Sequence, residues 1–314
     1  MGHAFKRLLL ALPIALGVSI VCFALVYIAP GDPLQTIVPP DATQATIDAV
    51  KHAYGLDKPL VVQYLIWLWR VLHGNLGISI STNRPVSLEV GLAIVNTLRL
   101  VALAMPAAMI AGYTMGVVAA RYPGRPIDKL VSGSAIVGVS LPNYWVGVVL
   151  VILCAVQWSW LPATGMGPGN VSMWQWQGFR FMILPAISLA LIPTGIIARS
   201  TRATVLDLAS HDFVLTLRAK GMPESAVTRH VLRNALPQVI AIVGLQFGYL
   251  MGGSILVETV FSWPGSGFLL GRAIQNRDVP LLQGTVLVLA MIFVATNLAV
   301  DLLQVRLDPR LRRG

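Results

Sequence analysis

Long apolar runs separated by short basic stretches set the rhythm of this chain. Leu8 to Ala29 holds 22 residues without a charge, preceded by Lys6 and Arg7. As a helix that run reaches about 33 Å, enough for a hydrocarbon core of about 30 Å. A signal peptide carries a shorter apolar region, about 7 to 15 residues, and a small-residue cleavage site. Here "APGDP" (Ala29 to Pro33) follows instead, so the run predicts an uncleaved first span. Five more runs have the length to cross: Leu100 to Ala120, Leu130 to about Trp158, Phe181 to Ala198, Asn234 to Val257 and Val279 to Val300. The pattern predicts an all-α polytopic membrane protein with six transmembrane helices.

Between the first two spans, Thr43 to His52 and Val61 to His73 have helical composition, with Leu65, Leu68 and Leu72 at steps of three and four. "YGLDKPL" (Tyr54 to Leu60) separates them as a turn. A small structured cap, surface-lying helices, or a helix packed on its own spans all suit this pattern. The stretch between the fourth and fifth spans is different. Leu206, Ala209, Phe213 and Leu217 form one helical face. Gly221 suits a helix terminator and Pro223 the first turn of the next helix. Val227, Val231 and Ala235 then make a second stripe. Two short amphipathic helices bent at "KGMP" result, with an apolar face that headgroups, this chain or a partner must cover. Within the spans, Gly112 with Gly116 and Gly248 with Gly252 have helix-packing spacing. Pro106, Pro142, Pro185 and Pro193 interrupt apolar runs, as structural kinks or as breaks lining a pathway.

Composition strengthens the membrane reading. Of 314 residues 56% are hydrophobic and 11% charged, against about a quarter charged in soluble domains, and mean hydropathy is +0.74. The net charge of +10 is topological rather than a nucleic-acid signature. With the N-terminus inside, the inner segments hold 15 of the 23 basic residues, and Arg121, Arg125 and Lys129 crowd one nine-residue loop. Both termini are therefore expected to be cytoplasmic. Cys22 and Cys154 lie in apolar runs and read as small buried hydrophobes.

No catalytic constellation is present: the chain has no HExxH, GxSxG or GxxxxGK[ST] motif and no paired acids within a span. "GMGPG" (Gly165 to Gly169) falls in an outer loop and reads as a turn. Glu258 and Asp301 lie at the margins of spans, where each can reach an interface or pair locally. An ion-coupled transporter places ionisable groups near mid-membrane. Uphill transport would then draw its energy from another chain. A stand-alone secondary transporter or channel leaves the paired inner helices unexplained, and an intramembrane enzyme lacks its residues.

"DFVLTLRAKGM" followed by "RHVLRNALP" resembles the cytoplasmic EAA loop of ABC-importer permeases of the dipeptide/oligopeptide/nickel class. The likeness runs along nearly the whole chain: "APGDP", "YGLDKPL…QY" and "HGNLGIS", then "SLPNYW" (Ser140 to Trp145), "ETVFSWPGSG" (Glu258 to Gly267), "NRDVP" (Asn276 to Pro280) and "NLAVDLLQVRLDPRLR" (Asn297 to Arg312). It implies a type I ABC importer permease fold in the bacterial inner membrane. The implied divisions are 1–30 for the N-terminal region and first span, 31–96 for an extracytoplasmic segment, and 97–314 for the core, with a coupling loop at 204–236. It also implies a homologous second permease, two cytoplasmic ATPase subunits that bind ATP and Mg, and an extracytoplasmic solute-binding protein. No cofactor is expected in this chain, and peptides are the expected cargo, with nickel chelates, glutathione or oligosaccharides as alternatives. By position Asp212, Phe213, Leu217, Arg218, Ala219, Lys220 and Gly221 match the helix that inserts into an ATPase cleft. Glu258, Trp263, Pro264, Gly265 and Asp278 are outer-loop or gate candidates. Leu215-Thr216-Leu217 stands where the family has Glu-Ala-Ala, and the spacing from Gly221 to His230 is one residue short.

Overall fold

The computed structural model describes residues 2–28, 57–169, 172–173 and 175–307. "APGDP", the expected Thr43–His52 helix and the C-terminal Arg310, Arg312 and Arg313 lie outside them. Among the described residues all regular structure is helical apart from one isolated bridge, Ile78 to Pro85. In chain order the helices are α1 (Gly2–Ile28), α2 (Leu60–Leu72), α3 (Val86–Arg121), α4 (Pro126–Ser140) and α5 (Asn143–Leu150), which runs on into a π-helical segment, Val151–Gln157. There follow α6 (Trp176–Ala209), α7 (Asp212–Ala219), α8 (Glu224–Gly253), α9 (Ile255–Val260), α10 (Ser266–Gln275) and α11 (Val279–Leu307).

Val86–Arg121, Trp176–Ala209, Glu224–Gly252 and Val279–Leu303 are each long and apolar enough to cross a bilayer. The third expected span is not a single rod. Its two parts, Pro126–Ser140 and Asn143–Gln157, meet at 97°. Leu141 is extended, with ψ of 132°, because a proline ring crowds the preceding residue out of the α region, and Pro142, with ψ of 124°, is the extended cap of the next helix. Pro106, Pro185, Pro193 and Pro237 sit inside helices that continue past them. The fifth expected span is also divided, at Ser254 between α8 and α9.

The chain forms two compact units, residues 1–97 with 264–295 and residues 98–263 with 296–314. In the first, α2 lies on α1: Ser19 Oγ and Tyr64 Oη are 2.7 Å apart, and Phe23 meets Tyr64 edge-on. Gln283 Nε2 of α11 donates to the Cys22 carbonyl of α1 at 3.0 Å. Val86, Val90, Ala273 and Leu281 form a buried cluster joining α3, α10 and α11. There Gly284 lets α11 close on α3, since a Cβ on it would fall 2.6 Å from Val86 Cγ1.

In the second unit α6 is the axis and the most buried of its long apolar helices. It contacts α4, α5, α8 and α9. Backbones approach closely where the sequence supplies glycine. A Cβ on Gly112 would lie 2.7 Å from the Thr194 carbonyl oxygen, and one on Gly116 2.6 Å from that of Ala198. Gly195 of α6 does the same for α4, 2.5 Å from the Ala135 oxygen. Gly252, by contrast, has nothing within 4 Å of where its Cβ would stand. Arg202 on α6 grips Asp128 of α4 with two bonds, Nε to Oδ1 at 2.6 Å and Nη2 to Oδ2 at 2.8 Å. The Gly124 N–H and Ser132 hydroxyl also donate to that buried carboxylate.

Gly116→Leu should lower the melting temperature in detergent, as overpacking costs about 1–3 kcal/mol, whereas Gly252→Ala should leave it unchanged or raise it. Arg202→Leu leaves Asp128 buried without its counter-charge, a loss of about 3–5 kcal/mol. Pairing that change with Asp128→Leu should recover part of the loss in the same thermal assay.

Candidate functional site

The segment between α6 and α8 is built from the chain outward. At the end of α6 the Ser210 N–H and hydroxyl both donate to the Asp207 carbonyl, and His211 is extended, so the helix stops and α7 restarts at Asp212. The apolar stripe expected on one helix from Leu206 to Leu217 is thus divided between two, with the break at Ser210–His211. Asp212 in the first turn of α7 and Arg218 in the last complement the helix dipole. Gly221, at φ +73°, closes α7: its N–H donates to the Arg218 carbonyl at 2.9 Å and that of Met222 to Leu217 at 3.2 Å. These two bonds make a Schellman motif, and a glycine accepts its left-handed residue without strain. Pro223 caps α8 rather than entering its first turn.

The fold answers what covers the apolar face. Val214 of α7 and Val227 and Val231 of α8 are buried together, with Val205, Leu208, Phe213, Leu217 and Met222 packed around them. Phe213 and Leu217 are therefore half-buried within this chain. At 100° per residue, Phe213, Leu217 and Val214 share one arc of α7, and Leu215, Ala219, Asp212 and Thr216 share the opposite one. The latter four are exposed, Leu215 at 61%. Leu215 is the residue that sequence reasoning missed. Two adjacent apolar residues, Val214 and Leu215, cannot both face the same side of so short a helix, and that was the available signal. Arg218 makes a bidentate pair with Glu224 across the bend, at 2.8 and 3.2 Å. Both partners are well exposed, so the pair adds geometry more than stability. Lys220 is exposed at the helix end.

The outer-loop candidates fall in different units. Glu258 and Trp263 belong to the second, and both are fully buried. Of the two options open to a residue at a span margin, reaching an interface or pairing locally, Glu258 is buried within the chain, where α9 holds it. Its backbone carbonyl accepts the Trp263 N–H at 2.8 Å. Phe261 fits against Gly147, whose Cβ would meet the ring at 3.0 Å.

Pro264, Gly265 and Asp278 belong to the first unit. The Pro264 carbonyl accepts from Asn96 Nδ2 at 2.9 Å, and Thr97 Oγ1 accepts the Ser266 N–H at 2.8 Å, fixing the start of α10. Asp278 is completely buried and has two tasks. Oδ1 caps α11 by accepting the Leu281 N–H at 3.1 Å. Oδ2 accepts from the Ser79 hydroxyl at 2.6 Å and from the Ser81 N–H and hydroxyl at 3.0 and 2.7 Å. Burial pushes this carboxyl up, but the donors from Ser79, Ser81 and Leu281 outweigh it and hold it below the usual range. Nearby, a cleft of about 260 Å³ is lined in part by Arg84, Glu89, Asn96 and Arg272, a set able to meet a ligand that carries both signs of charge.

Two family descriptions match the chain: the N-terminal part of binding-protein-dependent transport system membrane components over residues 2–89, and the binding-protein-dependent transport system inner membrane component over residues 112–313. The dipeptide transport system permease protein DppB of Alkalihalophilus pseudofirmus is 37% identical, with 99% of each chain covered. The glutathione transport system permease proteins GsiC of Escherichia coli and Salmonella typhimurium are 37% and 38% identical, again over 99% of each chain.

Because the carboxylate of Asp278 is favoured in the folded state, its contribution should be intact above about pH 4, the unfolded carboxylate range, and should fade as acidification titrates the folded group. Asp278→Asn, whose amide turns a donor toward donors, should cost about 1–3 kcal/mol near neutral pH and flatten that acid dependence in thermal unfolding.

Proposed function

The chain belongs to the binding-protein-dependent transport system inner membrane components, and from that premise we propose that it forms half of the translocation pathway of an ATP-driven importer of di- and oligopeptides. It is a multi-pass permease of the inner membrane. In this reading six spans place both termini and α7 in the cytoplasm. A homologous permease supplies the other half of the pathway, two ATPase subunits bind ATP and Mg, and an extracytoplasmic binding protein delivers the solute.

The observation that carries the coupling role is α7 itself. One arc is cemented to α6 and α8 through Val214, and the other presents Leu215, Ala219, Asp212 and Thr216 outward. Leu215 stands exposed on the short helix that the family resemblance places against a partner, and so is the side chain there free to enter a socket. Movement imposed on α7 passes directly to α6 and α8. Phe213 and Leu217, matched by the family resemblance to the inserted helix, then act chiefly by holding α7 in place. Peptide cargo is supported by the relative named for dipeptides; the relatives named for glutathione carry a name that is itself a tripeptide, so both point to one chemical class.

In the assembled transporter, Leu215→Asp should reduce ATPase copurification and ATP-dependent uptake at least tenfold while the permease still inserts at normal yield. Phe213→Asp and Leu217→Asp should instead lower the yield of folded permease. Unchanged assembly and uptake in Leu215→Asp would overturn the coupling role, and uptake competition by di- and tripeptides in proteoliposomes tests the cargo.

A further inference from the structure

We infer that the outer side of α2 is buried in the acyl chains of the bilayer, making this short helix a membrane-inserted anchor and not a cap exposed to water. The inference rests on the membrane-permease reading of the chain. It begins with depth. Lys6 and Arg7 end the apolar run of α1 on its N-terminal side, and such residues mark an interface. Ser19 lies twelve residues further on, about 18 Å along the helix, and Phe23 about 24 Å, within a hydrocarbon core of about 30 Å. α2 is fastened to α1 at those levels. Tyr64 Oη meets Ser19 Oγ at 2.7 Å, and Phe23 lies 5.5 Å from the Tyr64 ring and 5.8 Å from that of Trp67. A helix held at that depth is inside the far half of the core.

The surface of α2 has the character this position demands. Gln63 is buried, its amide donating to the Lys58 carbonyl at 2.7 Å. Away from α1, Val61, Leu65, Trp69 and Leu72 follow steps of four, four and three and are 57 to 72% exposed. In water such a stripe would be a sticky patch. The span to which α2 is fastened carries an exposed apolar stripe of its own, Leu12, Leu16 and Ile20 at steps of four, so the two helices present the same chemistry. No charge interrupts the stripe. Backbone groups are no obstacle, because a helix satisfies them internally. The anchor has a clear load: Ser79, which clamps Asp278, lies seven residues beyond Leu72.

The test uses the assembled transporter in proteoliposomes, with Cys22→Ala and Cys154→Ala as background and a nitroxide at Val61→Cys or Leu65→Cys. Leu16→Cys on α1 serves as the lipid control and Arg84→Cys as the water control. Power-saturation spectroscopy should show collisions with oxygen exceeding those with a water-soluble nickel chelate several-fold at 61 and 65, as at 16. Dominance of the nickel chelate would place α2 in water, and exclusion of both reagents would place it against protein; either overturns the inference. A Leu16 label also dominated by nickel would mean that the membrane reading itself has failed. Leu65→Lys gives an independent readout: a marked loss of assembled transporter is expected, and normal assembly counts against lipid burial.

Discussion

Backbone contact between α6 and its neighbours is the constraint on which the rest of the second unit depends. In a bilayer, apolar side chains gain little by leaving lipid for one another, so helices associate through close packing. Gly112, Gly116 and Gly195 supply that closeness by removing the side chain at each crossing. Once α3 and α4 are seated on α6, the Arg202–Asp128 pair can form with short, paired geometry at its base. The same helix runs on to Ala209 and hands the chain to α7. Packing in the apolar region and the placement of α7 are therefore one structural problem.

Much of this could be read from residue order. Apolar runs located the long helices because length and the absence of charge are local properties. Gly221 announced the end of α7 because the left-handed residue of a Schellman turn has few alternatives. The second stripe, Val227, Val231 and Ala235, is buried as its spacing indicated. Other features were hidden for physical reasons. The break at Ser210–His211 arises from side-chain and turn bonding that competes with the helix, and helical periodicity runs through it undisturbed. The 97° bend was marked by Pro142, yet Pro106, Pro185 and Pro193 look no different in sequence and leave their helices continuous. Burial of Glu258 depends on the direction of α9 and has no local signature.

The two candidate sites differ in what their residues do. Asp278 and the Asn96–Thr97 pair organise loops: each accepts or donates where a helix begins, and each is satisfied within its own unit. The α7 segment is organised the other way, with its interior satisfied and its outward arc left open. The first arrangement holds helix starts in place, and the second leaves Leu215 and its neighbours on the surface of this chain.

The bend at Gly221 has a mechanical consequence. α7 is eight residues, about 12 Å, and α8 is 30 residues, about 45 Å, and the Val214–Val227–Val231 cluster joins them near one end. The Schellman bonds and the Arg218–Glu224 pair stiffen that joint. A short arm rigidly set on a long one is a lever: tilting α7 by about 5° would swing the far end of α8 through about 4 Å, by the helix rise alone. Ser254 and the start of α9 lie at that far end, so a displacement smaller than a side chain at the joint becomes one the width of a backbone across the membrane.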